Sequence, residues 1–255
     1  MASPPTASFH DPRIALSHWS ELVRPTGVPT PDTVSLPLTE SDEGRPQWDT
    51  DVALAAVETL GGEAFVRSDY KSASLSHATG SHIQTASPDA VDSTLMELVS
   101  QHAMMQLPIG DAIHLREWLD LEWIAYERAP CHPEVRFFVA DGEVLCSHLR
   151  TDIPDELGDV ESTARAFFSR DSDDFPQLTE EVHGYAADVA TAVAGEGRYA
   201  VDFVLTTDYE WYLTDMALDA LYQRDGEWQN ISHHPGDCHH DLEQQYADWI
   251  SSHQE

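Results

Sequence analysis

Two stretches of this chain combine residue types and spacing that could do chemistry. In the first, a short apolar run, Ala64-Phe65-Val66, reads as a buried strand delivering Arg67 into a small, hydroxyl-rich loop, Ser68-Asp69-Tyr70-Lys71-Ser72-Ala73-Ser74. Lys71 is the only lysine; the other twelve basic residues are arginines. In a chain of formal charge −33, two cations four residues apart at a strand end ask for an anionic partner. Phosphate is the natural candidate, because small residues let backbone N–H groups and a cation approach it. The same pair could instead hold nearby carboxylates in salt bridges. In the second stretch, Asp202 sits inside an apolar strand, Tyr199 to Leu205, and Asp215 ends a partner strand beginning at Trp211. Two carboxylates on facing strands of one hairpin can converge on a hard cation such as Mg²⁺. Burying either without a cation or donor is costly; at a strand end in solvent, neither needs one.

Three further patterns are weaker. Glu134-Val135-Arg136 has period two, so both charged side chains share one face of a strand, pointing into a site together or forming an exposed ion-pair face. Leu115-Arg116-Glu117-Trp118-Leu119 reads as a strand edge running into a linker, with free backbone N–H and C=O groups of the kind that can read adenine. His233-His234, Cys238-His239-His240, Cys131-His132 and Cys146-Ser147-His148 raise zinc, yet none has the paired spacing of a finger or of an HExxH helix. No GxSxG, GxGxxG or Walker-type loop is present, so hydrolase, dinucleotide and P-loop readings have no support.

The elements that must position these residues follow from periodicity and punctuation. A helix is expected over Ile14 to Val23, then a proline-rich extended path through Pro25, Pro29 and Pro31. Leu38 to Trp48 reads as an acidic loop. Asp51 to Leu60 reads as a helix with Val52, Ala55, Ala56 and Leu60 on one face, Thr50 as cap and Gly61-Gly62 as stop. Ser87-Pro88 opens a helix whose buried stripe is Val91, Leu95, Leu98 and Val99. Ala112 to Leu119 reads as a strand. Glu134 to Val139 and Glu143 to Leu149 flank Asp141-Gly142, a strong hairpin signal. Asp152 to Pro176 is acidic and irregular. Leu178 to Val193 is a helix with Val182, Tyr185, Val189 and Val193 on its buried side. Arg198 to Leu205 and Glu210 to Thr214 form a second hairpin, and a helix over Asp241 to Ile250 closes the chain. Helices mixed with hairpins, rather than strict alternation, predict an α+β fold.

Composition bounds the function. At 255 residues, with 41% hydrophobic and 9% aromatic content, the chain can build a sizeable core and is not a disordered acidic tract. Its 46 acidic against 13 basic residues should repel nucleic acid and anionic membranes. Scattered acid with almost no lysine fits a protein working in molar salt, where self-repulsion is screened; a haloarchaeal or haloarchaeal-virus origin is the expectation. Three widely spaced cysteines without a CxxC fit a reducing cytoplasm. Met1 to Phe9 lacks a basic and an apolar signal region, and no run approaches the roughly 18 apolar residues of a membrane span.

Taken in order, these pieces resemble the ATP-grasp fold, over about Val28 to His234. They are similar to a small phage and prokaryotic clade of it and, more distantly, to the eukaryotic chaperone that assembles translation initiation factor two. Phe65 to Ser74 looks like the family's strand with its phosphate-facing arginine and loop. Leu115 to Leu119 looks like the hinge that clamps adenine. Glu134-Val135-Arg136 with the Asp141-Gly142 hairpin is similar to the family's E-x-R signature. Val201-Asp202-Phe203 and Leu213-Thr214-Asp215-Met216-Ala217 look like the paired strands that hold Mg²⁺. The sequence departs from its relatives at Ser74, where many carry lysine, and at Ala217, where they carry asparagine; Lys71 and Asp219 are the residues that could stand in.

The resemblance implies two lobes with a nucleotide cleft between them. Residues 1–45 would form an N-terminal segment, 46–119 the N-lobe and 120–255 the C-lobe. It implies ATP contacts from Arg67, Lys71, Ser72, Arg116, Glu117, Trp118, Leu119, Glu134 and Arg136, with Arg67, Lys71 and Arg136 on the triphosphate, and Mg²⁺ on Asp202, Asp215 and Asp219. The implied activity is carboxylate–amine ligation: a substrate carboxylate attacks the γ-phosphate, and an amine displaces phosphate from the acyl phosphate. The substrate would be a small molecule or peptide, with a protein partner possible and neither nucleic acid nor membrane involved. A non-catalytic ATP-binding assembly chaperone is the alternative, and a zinc-binding interaction module a third reading.

Overall fold

The described residues form two four-stranded antiparallel sheets whose central strands are apolar runs broken by single polar or charged residues and buried almost throughout. The computed structural model describes residues 6–7, 11–40, 45–70, 81–105, 107–121, 134–150, 175–224 and 227–230. These divide into two units: residues 9–18 with 31–119, and residues 1–8 with 19–30 and 120–255. Residues 1–45 are thus shared between the two units. Mixed helices and antiparallel sheets fit the α+β expectation.

In the smaller unit the strands are β2 (Thr33–Pro37), β3 (Thr39–Glu40), β4 (Pro46–Gln47), β5 (Ala64–Ser68), β6 (His82–Ile83) and β7 (Ala112–Arg116). The main sheet has the order β2-β7-β5-β6, and β3 and β4 pair separately. That small hairpin replaces the loop expected over Leu38 to Trp48. Helices α2 (Thr50–Thr59) and α3 (Pro88–Met105) cover one face of the sheet. Leu36, Ala64, Val66, Ile83, Ile113 and Leu115 meet Ala53, Ala56, Val57, Val91, Leu95 and Leu98 in one core. The stripe of α3 is as expected. The stripe of α2 is rotated by one residue: Ala53 and Val57 are buried, whereas Val52 is 51% exposed. The cap also differs from expectation: Asp49 rather than Thr50 receives the first N–H groups, from Asp51 and Val52. Thr50 instead donates its hydroxyl to Asp92, which also accepts from the Trp48 indole N–H, tying α2 to α3.

In the larger unit, β8 (Glu134–Ala140), β9 (Glu143–Arg150), β10 (Arg198–Leu205) and β11 (Trp211–Leu218) form a sheet of order β11-β10-β8-β9. Strand β1 (Thr6–Ala7) pairs with β12 (Leu221–Arg224), which pairs with β13 (Glu227–Asn230). The β8–β9 turn is the expected two-residue one, with Asp141 and Gly142 both at positive φ (52° and 85°). Helix α4 (Phe175–Ala192) packs on β8 and β9. Among its described side chains Val182, Ala186, Val189 and Ala190 are buried, with Val193 just beyond, whereas Tyr185, expected on that side, is only partly buried. Phe137 meets His183 of α4 edge-on at 4.9 Å and Phe203 at 5.8 Å, which identifies the helix-covered face. Helix α1 (Leu16–Val23) begins in the smaller unit and ends in the larger. No helix among the described residues is long and apolar enough to cross a membrane.

Candidate functional site

In the larger unit, strand register builds a charged row. Opposite residues of an antiparallel pair project on the same face, with Cβ atoms about 5 Å apart. Asp215 lies opposite Asp202, Asp202 opposite Arg136, and Arg136 opposite His148. The row therefore runs across all four strands, on the face opposite that of Phe137. Asp215 is not at a strand end, as the sequence suggested; β11 continues three residues further, to Leu218. A bulge makes this register: Asp202 pairs with Asp215 and Phe203 with Leu213, so Thr214 is the extra residue, and its hydroxyl donates to the Asp202 carbonyl at 3.3 Å. A small apolar group, Phe138, Cys146 and Ala200, adjoins the row on the same face.

Arg136 and Asp202 form a fork-on-fork pair: Nε donates to Oδ1 at 2.6 Å and Nη2 to Oδ2 at 2.5 Å. Both are buried, at 9% and 5% exposure. Burial alone would lower the pKa of Arg136, but the hydrogen bonds and charge of Asp202, with the nearby charges of Glu134 and Asp215, raise it instead. Asp215 accepts the Met216 N–H at 2.9 Å. The third expected metal residue does not join this group. Asp219 is paired with Arg198 at 2.6 Å and lies four residues beyond Asp215, about 13 Å along an extended strand. No group of three His, Cys, Asp or Glu side chains that could hold a metal occurs among the described residues. Two adjacent carboxylates still fit Mg²⁺, which keeps several waters and takes only one or two carboxylates beside phosphate oxygens.

The smaller unit has its own polar face. Ser35 is opposite His114, His114 opposite Arg67, and Phe65 opposite both Arg116 and His82. This face gathers two arginines, Arg67 and Arg116, with His82 and His114, a local exception in an acidic chain. Arg67 is almost wholly buried, with Nε 3.3 Å from the Ser68 carbonyl. Asp69 organises what surrounds it. Its carboxylate accepts the Ser17 N–H (2.9 Å) and hydroxyl (3.0 Å) and lies 3.2 Å from His114 Nε2, while His114 Nδ1 is 2.9 Å from the Ser35 hydroxyl. Burial pushes the Asp69 carboxyl upward, yet the His114 and Ser17 hydrogen bonds outweigh it and hold the pKa below the ordinary value. An ionised Asp69 only accepts, so the Nε2 of His114 is the donor in that contact. Sequence reasoning missed this network. The signal was a lone histidine inside the apolar run Ala112-Ile113-His114-Leu115, which must find partners when buried.

The hinge segment differs from expectation in two respects. Strand β7 ends at Arg116, and the Glu117 N–H is already donated to the Asp32 carbonyl at 2.8 Å, so the backbone is not open at Glu117. Its carboxylate in turn accepts the Asp32 N–H at 3.2 Å. Trp118 stacks flat on His82, centroids 3.6 Å apart and planes 7° from parallel, and His82 Nε2 lies 3.0 Å from Glu63. Lys71, Ser72 and Ser74 lie outside the described residues, as do the His/Cys pairs at Cys131, His233 and Cys238 and the helix expected over Asp241 to Ile250.

Comparison with known proteins bears on the fold. No family model and no curated protein matches the sequence. C-terminally truncated Cdc123 from Schizosaccharomyces pombe aligns over 81% of this chain and 83% of its own at 17% identity, with a TM-score of 0.50. The D-alanine–D-alanine ligase from Coxiella burnetii aligns over 80% of this chain and 47% of its own at 12% identity and a TM-score of 0.47. N5-carboxyaminoimidazole synthetase from Staphylococcus aureus, complexed with ADP, gives 84%, 45%, 11% and 0.46. This chain spans less than half of either enzyme. The fold assignment therefore rests on the first likeness alone: the described elements adopt a Cdc123-like α+β fold.

Proposed function

We propose that this chain is an ATP-grasp protein that binds Mg-ATP and joins a carboxylate to an amine through an acyl phosphate. The observation that carries the reading is the row Asp215–Asp202–Arg136, set by register on one sheet face, with two carboxylates beside an arginine. Mg²⁺ bound there would neutralise charge on the phosphates during transfer. Asp202 and Asp215 would hold it, and Arg136 would steady the γ-phosphate. Glu134, two residues along the same strand, stands near enough to add to the field on Arg136. Arg67 is proposed as a further phosphate contact, with Lys71 and Ser72 beside it in sequence, and Arg116 to Leu119 as the adenine-reading segment. Asp219, ion-paired with Arg198 and four residues beyond Asp215, is left out of this metal set. A substrate carboxylate attacking the γ-phosphate releases ADP, and the amine then displaces phosphate; positioning and charge neutralisation supply most of the rate.

The formal charge of −33 sets the medium. Working in molar KCl, with the Debye length near 3 Å, follows from the same reading and points to a halophilic host and its cytoplasm. Full folding and activity at low salt, followed by circular dichroism and turnover, would remove that part.

A second reading is favoured by Ala217 and by the Asp219–Arg198 pair, which leave two carboxylates where a third ligand is expected. It is a non-catalytic ATP-binding assembly chaperone or adaptor. Turnover separates the two. In molar KCl, ATP, Mg²⁺ and pooled amino acids yield ADP and phosphate with a ligase. Tight ATP binding with no substrate-stimulated hydrolysis identifies the chaperone, and no ATP binding at all discards both.

A further inference from the structure

Three side chains of the smaller unit form a run of two hydrogen bonds that the nucleotide reading does not use. His114, buried on the interior strand β7, stands between a carboxylate and a hydroxyl. Its Nε2 lies 3.2 Å from Asp69 and its Nδ1 2.9 Å from the Ser35 hydroxyl. The Asp69 carboxylate also accepts the Ser17 N–H at 2.9 Å and hydroxyl at 3.0 Å, which fixes its position against the ring. A buried histidine needs partners whether or not it does chemistry. Ser35 is different: it is exposed, on the edge strand β2, and its hydroxyl could be satisfied by water. In a chain with 46 acidic residues, Thr33 to Pro37 carries no charge, so the edge around Ser35 is open and neutral.

We propose that Ser35 is a nucleophile with His114 as its general base and Asp69 as the residue that positions the ring, and that this site cleaves uncharged acyl esters. A nucleophile, a base within hydrogen-bond reach and a third group that orients the base are recognised by geometry and roles, not by order in the chain. With Nε2 donating to Asp69, the neutral imidazole presents its Nδ1 lone pair to the Ser35 hydroxyl. Ser35 Oγ attacks the ester carbonyl carbon and its proton passes to Nδ1. The bond to the leaving alcohol breaks, and the alcohol carries that proton away. Water then attacks the Ser35 ester by the same route, giving the free acid and restoring the hydroxyl. The neutral β2 edge suits an uncharged ester. The proposal stands or falls independently of the nucleotide reading.

The test uses the full chain in molar KCl. A fluorophosphonate, which loses fluoride to an activated serine, is followed by intact mass and peptide mapping, and p-nitrophenyl acetate by release of p-nitrophenolate. The wild type should carry one adduct, on Ser35, and turn over the ester. Ser35→Ala, at an exposed edge position, should keep the circular dichroism spectrum and lose both reactions. His114→Gln should slow them by roughly 10²–10⁴-fold, the usual contribution of a general base. If His114→Gln does not fold, Ser35→Ala decides. The Nε2 proton of His114, held by Asp69, should give a downfield proton resonance in the wild type and in Ser35→Ala. Asp69→Asn should remove that resonance and slow the labelling together. No adduct on Ser35 in the folded wild type, or ester turnover equal in the wild type and Ser35→Ala, overturns the proposal. Loss of the resonance in Asp69→Asn with labelling at the wild-type rate removes Asp69 from it.

Discussion

The two sheets share one plan and put it to different uses. Each packs an apolar face on helices and turns a polar face away from them. In the smaller unit the polar groups converge on one carboxylate: Asp69 collects Ser17 and His114, and His114 collects Ser35. That network fastens the segment around Ser17 to the sheet. In the larger unit, two carboxylates stand side by side and one of them holds a single arginine. The Asp69 network, whose carboxylate meets Ser17 and His114, has a structural role of its own. On the proposed reading, the two carboxylates in register on the larger unit's face are what a cation would take.

Substitutions can break this contrast. The largest expected effect is that of Asp202→Ala. It strands a buried guanidinium, and equilibrium unfolding in denaturant should show a loss of about 4 kcal/mol. Asp69→Ala leaves His114 and the Ser17 groups without their acceptor and should cost about 3 kcal/mol by the same measurement. The Asp69 contribution also carries a pH signature. Its folded pKa lies below the ordinary value of 3.8, so the stabilisation is complete above that value and fades as the pH falls through the lower folded one. Asp69→Asn should flatten that part of the acid limb relative to the wild type.

Gly110→Ala is next. Gly110 has φ +87°, and an added Cβ would lie 2.5 Å from Asp69 Cβ, beside the bond from the Asp69 N–H to the Ile109 carbonyl. Strain and displacement of Asp69 together should cost about 2 kcal/mol, seen as a lowered Tm. Asp215→Ala should be the mildest for the fold, within about 1 kcal/mol, because the fork of Arg136 stays on Asp202 when Asp215 is removed. Milder still for Asp215 than for Asp202 is the outcome the two-sheet contrast requires; equal losses would merge their roles.

Much of this was legible in the chain. Asp141-Gly142 fixed the β8–β9 turn, because only residues tolerant of positive φ make a two-residue turn there. The apolar run around Asp202 placed that carboxylate in a buried strand, and the spacing of Val91, Leu95 and Leu98 placed α3 on the core. Other features depend on pairing partners far away in sequence. That Asp202 faces Arg136 follows from a register between residues 66 positions apart, which no local pattern encodes. The bulge at Thr214, which carries Asp215 opposite Asp202, is likewise a property of two strands at once. Asp69 and His114 are 45 residues apart, so their union could be anticipated only as a need of each for a partner. Trp118 looked like an adenine-clamping residue, and its stack on His82 comes from a strand that the sequence did not reveal.

The central claim, that the row through Asp202 and Asp215 is a metal–phosphate site, meets its most direct test in calorimetric titration of Mg-ATP into Asp215→Ala beside the wild type in molar KCl. The account predicts micromolar-range binding by the wild type, loss of at least a hundredfold in the variant, about 2.7 kcal/mol, and an unchanged circular dichroism spectrum. Unchanged nucleotide affinity in a folded Asp215→Ala protein would contradict it.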